Sequence, residues 1–150
     1  MITFSGMEIK FATTEADLLK CRKAILDLRP HILPADYLEK AQLLLSEGPK
    51  IIYVEDGSSD APAIGVFRIN YYFYRGKNMY IDDLGTLPES RGKGYGGALL
   101  DFMITYAKQE GCENVHLDSG YQKERWDAHR LYLNKGFNLA SHHFVLDLKV

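Results

Sequence analysis

Four glycines crowd into six residues in the middle of the chain: Gly92, Gly94, Gly96 and Gly97. Each glycine costs an ordered segment about 0.5 to 1 kcal/mol relative to alanine, so a plain turn gains nothing from this composition. The run stands where a strand gives way to the clearest helix of the chain, and bare N–H groups at a helix N-terminus attract anions. The sequence therefore predicts a phosphate-binding loop, with a flexible turn as the simpler alternative.

The apolar spacing around this loop predicts a mixed α/β fold. Apolar residues recur at helical spacing from Lys93 to Gln109, and Gly111 is placed to end that helix. Capping signals predict two earlier helices, one opening at Thr14 and one at Pro34. The remaining predicted elements are strands at Glu8–Phe11, Lys50–Glu55, Ala63–Tyr74, Lys77–Leu87, Val115–Asp118 and Phe144–Lys149, and a helix at Asp127–Lys135. The order is β-α-α-β-β-β-α-β-α-β, in one domain covering residues 1–150.

Charge and cysteine content narrow the class of protein. A formal charge of -2, from 18 basic and 20 acidic side chains, gives no reason to expect nucleic acid or an anionic membrane as partner. No apolar stretch approaches the roughly 18 residues that a membrane span needs. Cys21 and Cys112 form no Cys/His cluster, so the sequence predicts a cytoplasmic protein without a metal site and without a covalent cysteine intermediate.

Two phosphate-binding motifs can be compared with the loop. No Gly-Lys pair is followed by Ser or Thr, which excludes a Walker loop. Gly92, Gly94 and Gly97 do satisfy the dinucleotide pattern G-x-G-x-x-G, with Asp118 at the end of the next predicted strand. Because the loop follows an antiparallel meander, and few residues remain for a doubly wound sheet, a nicotinamide-dependent oxidoreductase is the less favoured alternative.

A third pattern is a family resemblance. Arg91–Gly96 matches the R/Q-x-x-G-x-G/A motif of the GCN5-related N-acetyltransferase (GNAT) superfamily, after a Leu-x-x-x-Pro-Glu-Ser run from Leu84. Downstream, Asp127–Phe137 resembles the A-x-x-x-Y-x-x-x-G-F segment of the same superfamily. Two matches in the right order, together with a similar order of elements, make the chain resemble a GNAT protein over nearly its whole length. The resemblance implies acetyl-CoA as co-substrate.

The resemblance also implies roles for individual residues. The strand before the loop would pair with the pantetheine arm through Leu84, Gly85 and Thr86, and Tyr132 would protonate the leaving thiolate. Arg125 stands where many members have an asparagine that binds the cofactor. The residues that would surround the diphosphate are Arg91, Gly92, Lys93, Gly94, Tyr95, Gly96 and Gly97.

Acetyl transfer to an amine needs a group that removes a proton, and carboxylates are the usual choice. The strand leading to the loop offers Asp82 and Asp83, whose side chains should point to opposite faces. Asp82 is favoured because it resembles the position of an acid in polyamine-acetylating members. Many other members place their base at the position of Tyr80, and a purely structural role for both aspartates is the alternative.

Together these features predict an N-acetyltransferase that moves the acetyl group to a primary amine in a ternary complex. The local sequence resembles small-amine and aminoalkylphosphonate acetyltransferases, so we expect a small-molecule acceptor; a non-catalytic acyl-CoA sensor is the alternative. The resemblance allows for a homodimer. The aromatic run Tyr71–Tyr74 is assigned to sheet packing, with an acceptor pocket or a subunit contact as alternatives.

Overall fold

The computed structural model describes residues 2–4 and 7–149 of the chain. These residues form two compact units, of which the first ends at Leu117 and the second begins at Asp118. The first unit holds the whole described sheet and three α-helices, and the second holds one α-helix. The mixed α/β class that the sequence predicts, with a mostly antiparallel sheet flanked by helices, is confirmed.

Six strands form one sheet in the order of the sequence. They are β1 (Ile2–Phe4), β2 (Met7–Phe11), β3 (Lys50–Glu55), β4 (Ala63–Tyr72), β5 (Gly76–Thr86) and β6 (Asn114–Leu117). Neighbours are antiparallel from β1 to β5, and β6 joins β5 in parallel. A doubly wound dinucleotide fold requires a mostly parallel sheet, so this topology removes the oxidoreductase alternative.

The helices begin and end close to where the sequence signals place them. They are α1 (Glu15–Leu28), α2 (Tyr37–Ser46), α3 (Tyr95–Gln109) and α4 (Trp126–Asn134). The capping box of α1 is formed: the Asp17 amide donates to Thr14 Oγ1 at 3.2 Å, and the Thr14 amide donates to the Asp17 carboxylate at 3.1 Å. Gly111, just beyond α3, takes the left-handed φ of +76° that commonly ends a helix.

Helices of the first unit cover both faces of the sheet. A Cβ on Gly65 would lie 3.4 Å from Met103 of α3, and a Cβ on Gly85 would lie 3.2 Å from Leu28 of α1. Both strand glycines therefore let a helix pack close to the sheet. The α3 side is completed by four interlocking aromatic rings: Phe11, Phe67, Phe102 and Tyr106.

Three details differ from the sequence prediction. The short strand β1 was not predicted. The predicted last strand, Phe144–Lys149, is not formed: among the described residues no strand pairs with this segment, and its apolar side chains are largely exposed. The prediction that the aromatic run Tyr71–Tyr74 packs against the sheet is wrong, since all four rings are exposed at the β4–β5 turn. Arg75 lies over two of these rings, 5.7 Å from the Tyr72 centroid and 5.0 Å from that of Tyr74.

Candidate active site

The glycine loop joins the end of β5 to the start of α3. Leu87 fixes its beginning, because its side chain is buried and its amide donates to the Pro62 carbonyl at 2.8 Å. Further along, Gly92 and Gly94 have φ values of +78° and +83°. Side chains other than hydrogen are strained in this left-handed region, so the path of the loop itself requires glycine at both positions.

The N-terminus of α3 carries no side-chain cap. Its N-cap residue is Gly94, which has no side chain to accept a hydrogen bond, and its first turn contains no acidic residue. The first N–H groups of a helix have no partner inside the helix, and here Tyr95, Gly96 and Gly97 are half-buried rather than covered. In contrast, α1 closes its own N-terminus with Thr14 and Asp17. The amides of α3 are thus available to an external anion, which the helix dipole also favours.

Two cations accompany these amides. Arg91 and Lys93 belong to the loop, and both side chains are exposed to solvent. They would add attraction for a diphosphate, although salt weakens exposed charges of this kind. The loop therefore offers both main-chain donors and solvent-exposed positive side chains.

The second half of β5 has one free edge. The ladder with β6 ends at the pair Ile81 and Leu117, whereas the ladder with β4 continues to Thr86. Because the Leu87 amide bonds to Pro62, the residue just before β4, the alternation of an antiparallel ladder turns the main-chain groups of Leu84 and Thr86 away from β4. Gly85 bonds toward β4 instead. Within the described residues, Leu84 and Thr86 thus offer unpaired main-chain groups to an extended ligand.

A β-bulge interrupts β5 at the candidate base. Val66 pairs with Asp83 and the next residue, Phe67, pairs with Ile81, so the ladder skips Asp82. The extra residue of a bulge locally bends its strand and redirects its side chain, a device that is frequent next to active sites. Sequence periodicity contains no signal for this bulge, which places Asp82 outside the regular alternation of β5.

Each aspartate is bound by its own arginine. Arg68 of β4 donates from Nε to both carboxylate oxygens of Asp82, at 3.0 and 3.1 Å. Arg29, at the end of α1, donates from Nε to Asp83 at 2.6 Å and from Nη2 to the Asp82 carbonyl at 3.2 Å. The hydrogen bond to Asp82 raises the pKa of Arg68, which keeps the guanidinium charged. The two carboxylates are therefore held as separate ion pairs. Sequence reasoning missed both arginines.

Tyr80, the alternative base position, lies on β5 between two other strands. It pairs with Arg68 of β4 and with His116 of β6 in the sheet register. The phenol is half-buried. Tyr80 is therefore flanked by a strand on each side. Asp82, in contrast, lies beyond the end of the β6 ladder.

Tyr132 belongs to the second unit, in the last turns of α4. Its ring packs against Phe137, with centroids 6.0 Å apart, and its carbonyl accepts from the Phe137 amide at 3.0 Å. Burial raises the pKa of the Tyr132 phenol, while the positive charge of Arg125 acts in the opposite direction. A phenol with a raised pKa keeps its proton at neutral pH, as a general acid must.

Several other chemistries find no support in the structure. Burial raises the pKa of the Cys21 thiol to about 12 and also raises that of Cys112, so neither thiol is poised as a nucleophile. Among the described residues, no cluster of His, Cys, Asp and Glu side chains could hold a metal ion. None of the described helices combines the length and apolar character needed to cross a lipid bilayer.

A cavity of about 530 Å³ opens next to Tyr95. Its lining includes three carboxylates, Glu8, Glu55 and Asp56, and one lysine, Lys10. Glu8 and Glu55 face each other across β2 and β3. Lys10 pairs with Glu8 and Lys20 pairs with Glu55, so the lining offers a diphosphate no surplus of positive charge, which favours the amides of α3 over this cavity for binding an anion.

Known proteins are similar to this chain in sequence. The Acetyltransferase (GNAT) family model matches residues 18–144. The chain is 27% identical to "Uncharacterized N-acetyltransferase YhdJ" of Bacillus subtilis (strain 168) over 139 residues, 92% of this chain and 96% of that protein. It is 28% identical to the Thialysine N-epsilon-acetyltransferase of Bos taurus over 64 residues, 41% of this chain and 38% of that protein.

A solved structure agrees with the fold along almost the whole chain. The crystal structure of a transcriptional regulator from Bacillus halodurans C-125 superposes with a TM-score of 0.80 at 24% identity, covering 95% of this chain and 99% of that one. At this identity the likeness concerns the fold alone. Together with the family match, it leads to one conclusion: the chain belongs to the GNAT family and is an N-acetyltransferase.

Proposed function

We propose that this enzyme transfers the acetyl group of acetyl-CoA to a primary amine of a small molecule, such as a polyamine or an aminophosphonate, by direct attack in a ternary complex. The observation that carries the proposal is the uncapped N-terminus of α3 beside the free edge of β5. One feature suits a diphosphate and the other an extended amide-containing chain, and coenzyme A contains both. The GNAT family generally uses this co-substrate.

The residues of the chain fit coenzyme A in two places. The amides from Gly92 to Gly97 would hold the diphosphate, with Arg91 and Lys93 adding charge, because main-chain donors there have no competing acceptor among the described residues. Leu84 and Thr86 would pair with the amides of the pantetheine arm, since their main-chain groups point away from β4. When bound, the co-substrate supplies the thioester carbonyl that the amine attacks.

The chain's own side chains would manage the protons. A primary amine is largely protonated at neutral pH and must lose a proton before it attacks. We assign this task to Asp82, acting directly or through water, with Asp83 as a supporting charge, because the bulge takes Asp82 out of the regular ladder. Tyr132 would give a proton to the leaving thiolate, which its raised pKa permits.

The acceptor is proposed to be small for two reasons. One relative is named for acetylating thialysine, a small amine. The proton-transfer groups of the first unit are short aspartate side chains on a strand, with exposed fractions of only 17% and 20%. A slender amine can approach partly buried carboxylates of this kind without a large rearrangement.

The proposal also covers the extent of the domain, the compartment and the partners of the enzyme. We propose that residues 1–150 form one acetyltransferase domain, since the family match runs through both compact units. The two free thiols suit the reducing cytoplasm, where we place the enzyme. We expect neither nucleic acid nor a membrane as partner at a formal charge of -2, and a homodimer is compatible with the proposal.

A thiol-release assay tests this function. The protein is incubated with acetyl-CoA and a panel of primary amines, and free coenzyme A is measured with a thiol reagent. The proposal predicts release that requires both protein and amine and that saturates with each. If coenzyme A binds in calorimetry but no amine in the panel causes thiol release, the small-amine proposal is contradicted.

A further inference from the structure

Asp82 is not free to meet an ammonium group in the resting protein. Arg68 holds its carboxylate with a fork of donors: Nε contacts both oxygens, and Nη2 lies 2.5 Å from Oδ2. This two-pronged geometry is the strongest common form of a side-chain ion pair. The position that an acceptor's ammonium would take beside Asp82 is therefore occupied by a cation of the protein itself.

The surroundings of this pair are electrically balanced. Arg29 adds a second positive charge at the Asp82 carbonyl, and Asp83 balances it. The two arginines and two aspartates cancel, so the site attracts neither a simple cation nor a simple anion. The Arg68 side chain is 37% exposed and that of Asp82 is 17% exposed, so Arg68 has room to move into solvent while Asp82 is held by the sheet.

Charge balance then favours one class of acceptor. A diamine that displaced Arg68 from Asp82 would leave the guanidinium without a partner next to a second ammonium. An amine that also carries a carboxylate or phosphonate exchanges partners instead: its ammonium takes Asp82 and its anionic group takes Arg68. Every charge stays paired, which matters because an unpaired, partly buried charge is costly.

We propose that Arg68 determines acceptor specificity by receiving the anionic group of an amine that also carries a carboxylate or phosphonate, while Asp82 receives the ammonium. The inference rests on the proposed function, because it assumes that the acceptor amine meets Asp82. It narrows the substrate class from primary amines in general to amines of the amino acid or aminophosphonate kind, and it disfavours polyamines.

Three acceptors with four carbon atoms each separate these classes. They are 4-aminobutanoate, with a carboxylate at the far end, n-butylamine, with a methyl group, and 1,4-diaminobutane, with a second ammonium. With the intact enzyme we expect kcat/KM for 4-aminobutanoate to exceed that for each of the others by about tenfold or more, since a charged hydrogen-bonded pair contributes this much. A preference for the diamine, or equal values for all three, would overturn the proposal.

Variants assign the preference to Arg68. Arg68→Gln should lower the preference for 4-aminobutanoate over n-butylamine by about tenfold, and Arg68→Lys should retain part of it because the positive charge remains. Arg29→Gln is the matched control: Arg29 also has a carboxylate partner, but that partner is Asp83, and Arg29 contacts only the main-chain carbonyl of Asp82, so this variant should lower the preference less than Arg68→Gln does. A purely structural Arg68 would change all three acceptors by one common factor, which contradicts the proposal.

Failure of the function and failure of the specificity can be told apart. If the intact enzyme releases no thiol with any amine, the proposed function has failed. The specificity is then read from calorimetric titration of each of the three amines into protein saturated with coenzyme A. Tighter binding of 4-aminobutanoate that Arg68→Gln removes supports the role of Arg68, and equal or undetectable binding of all three overturns it. If Arg68→Gln does not fold, the same comparison is made with Arg68→Lys.

Discussion

The glycine loop and the β5 bulge are close in sequence but use different parts of the polypeptide. The loop presents main-chain N–H groups in a path that two left-handed glycines fix, so its chemistry depends on backbone shape. The bulge presents charged side chains that other side chains already bind, so in the proposed reaction its chemistry would depend on exchange of ionic partners. A site of the first kind suits a co-substrate that never varies, and a site of the second kind can be retuned for different acceptors by single substitutions.

The largest effect should come from blocking the main-chain site. Gly94→Leu should weaken coenzyme A binding by at least about 100-fold, because a side chain at this left-handed position strains the loop that presents the amides and adds bulk at the N-cap of α3. Calorimetry measures the affinity. Gly111→Leu is the control, with φ of +76° and open space at the other end of the same helix, and it should destabilise the protein without weakening binding. Equal losses in the two variants would show that strain alone is responsible.

The next effect concerns a residue outside both regions. Tyr132→Phe should lower kcat by about 100-fold, within the usual range for a general acid, and leave coenzyme A affinity almost unchanged. Because burial raises the pKa of Tyr132, its proton is retained up to and beyond the usual tyrosine pKa of about 10, so loss of this proton should not lower kcat below that pH. Steady-state kinetics from pH 7 to 10 check both points.

Tyr121→Phe serves as the control for that prediction. Tyr121 belongs to the same unit but is exposed, so removing its hydroxyl should change neither kcat nor affinity. Loss of coenzyme A binding in Tyr132→Phe to the same extent as kcat would assign Tyr132 to packing instead of proton transfer.

Removing the charge of Asp82 should lower activity more than removing the charge of Asp83. Asp82→Asn should lower kcat/KM for the amine by about 100-fold, since it removes the proposed base, whereas Asp83→Asn should cost about tenfold or less. Both substitutions leave one arginine without its partner, so each controls for the loss of an ion pair in the other. Steady-state kinetics with a saturating co-substrate give the ratio. A larger loss in Asp83→Asn would transfer the role to that residue.

The smallest effect lies outside the site. Thr14→Ala should lower the free energy of unfolding by about 1 kcal/mol, because it removes the side-chain acceptor of the α1 N-cap, and it should leave coenzyme A binding unchanged. Urea unfolding measures the difference. Thr13→Ala, which changes the neighbouring threonine outside the cap position, should cost less. A change in binding by Thr14→Ala would contradict the view that only the uncapped helix serves the ligand.

The parts of this structure that the sequence could predict are those encoded by local signals. The caps of α1 and the apolar spacing of α3 are encoded within a few residues of each helix, so both were predicted closely. The prediction of a last strand at Phe144–Lys149 was wrong because alternating apolar residues show that a segment could form a strand, but not that another strand is placed to pair with it.

The acceptor side of the site was harder to predict for a similar reason. Asp82 and Asp83 attract notice as neighbouring acids, but their partners come from elsewhere in the fold: Arg68 from β4 and Arg29 from α1. Asp83 and Arg29 are 54 residues apart in the chain, and no local pattern connects them. The bulge that displaces Asp82 is likewise a property of how two strands pair, which a single strand's sequence does not specify.

The central claim is that the main-chain amides before and within the first turn of α3 hold the diphosphate of coenzyme A. Amide chemical shifts, followed by nuclear magnetic resonance during separate titrations with coenzyme A and with pantetheine, test it most directly. The account predicts that the amides from Gly92 to Gly97 shift with coenzyme A and not with pantetheine, while Leu84 and Thr86 shift with both. Unchanged amides in the loop at saturating coenzyme A would contradict it.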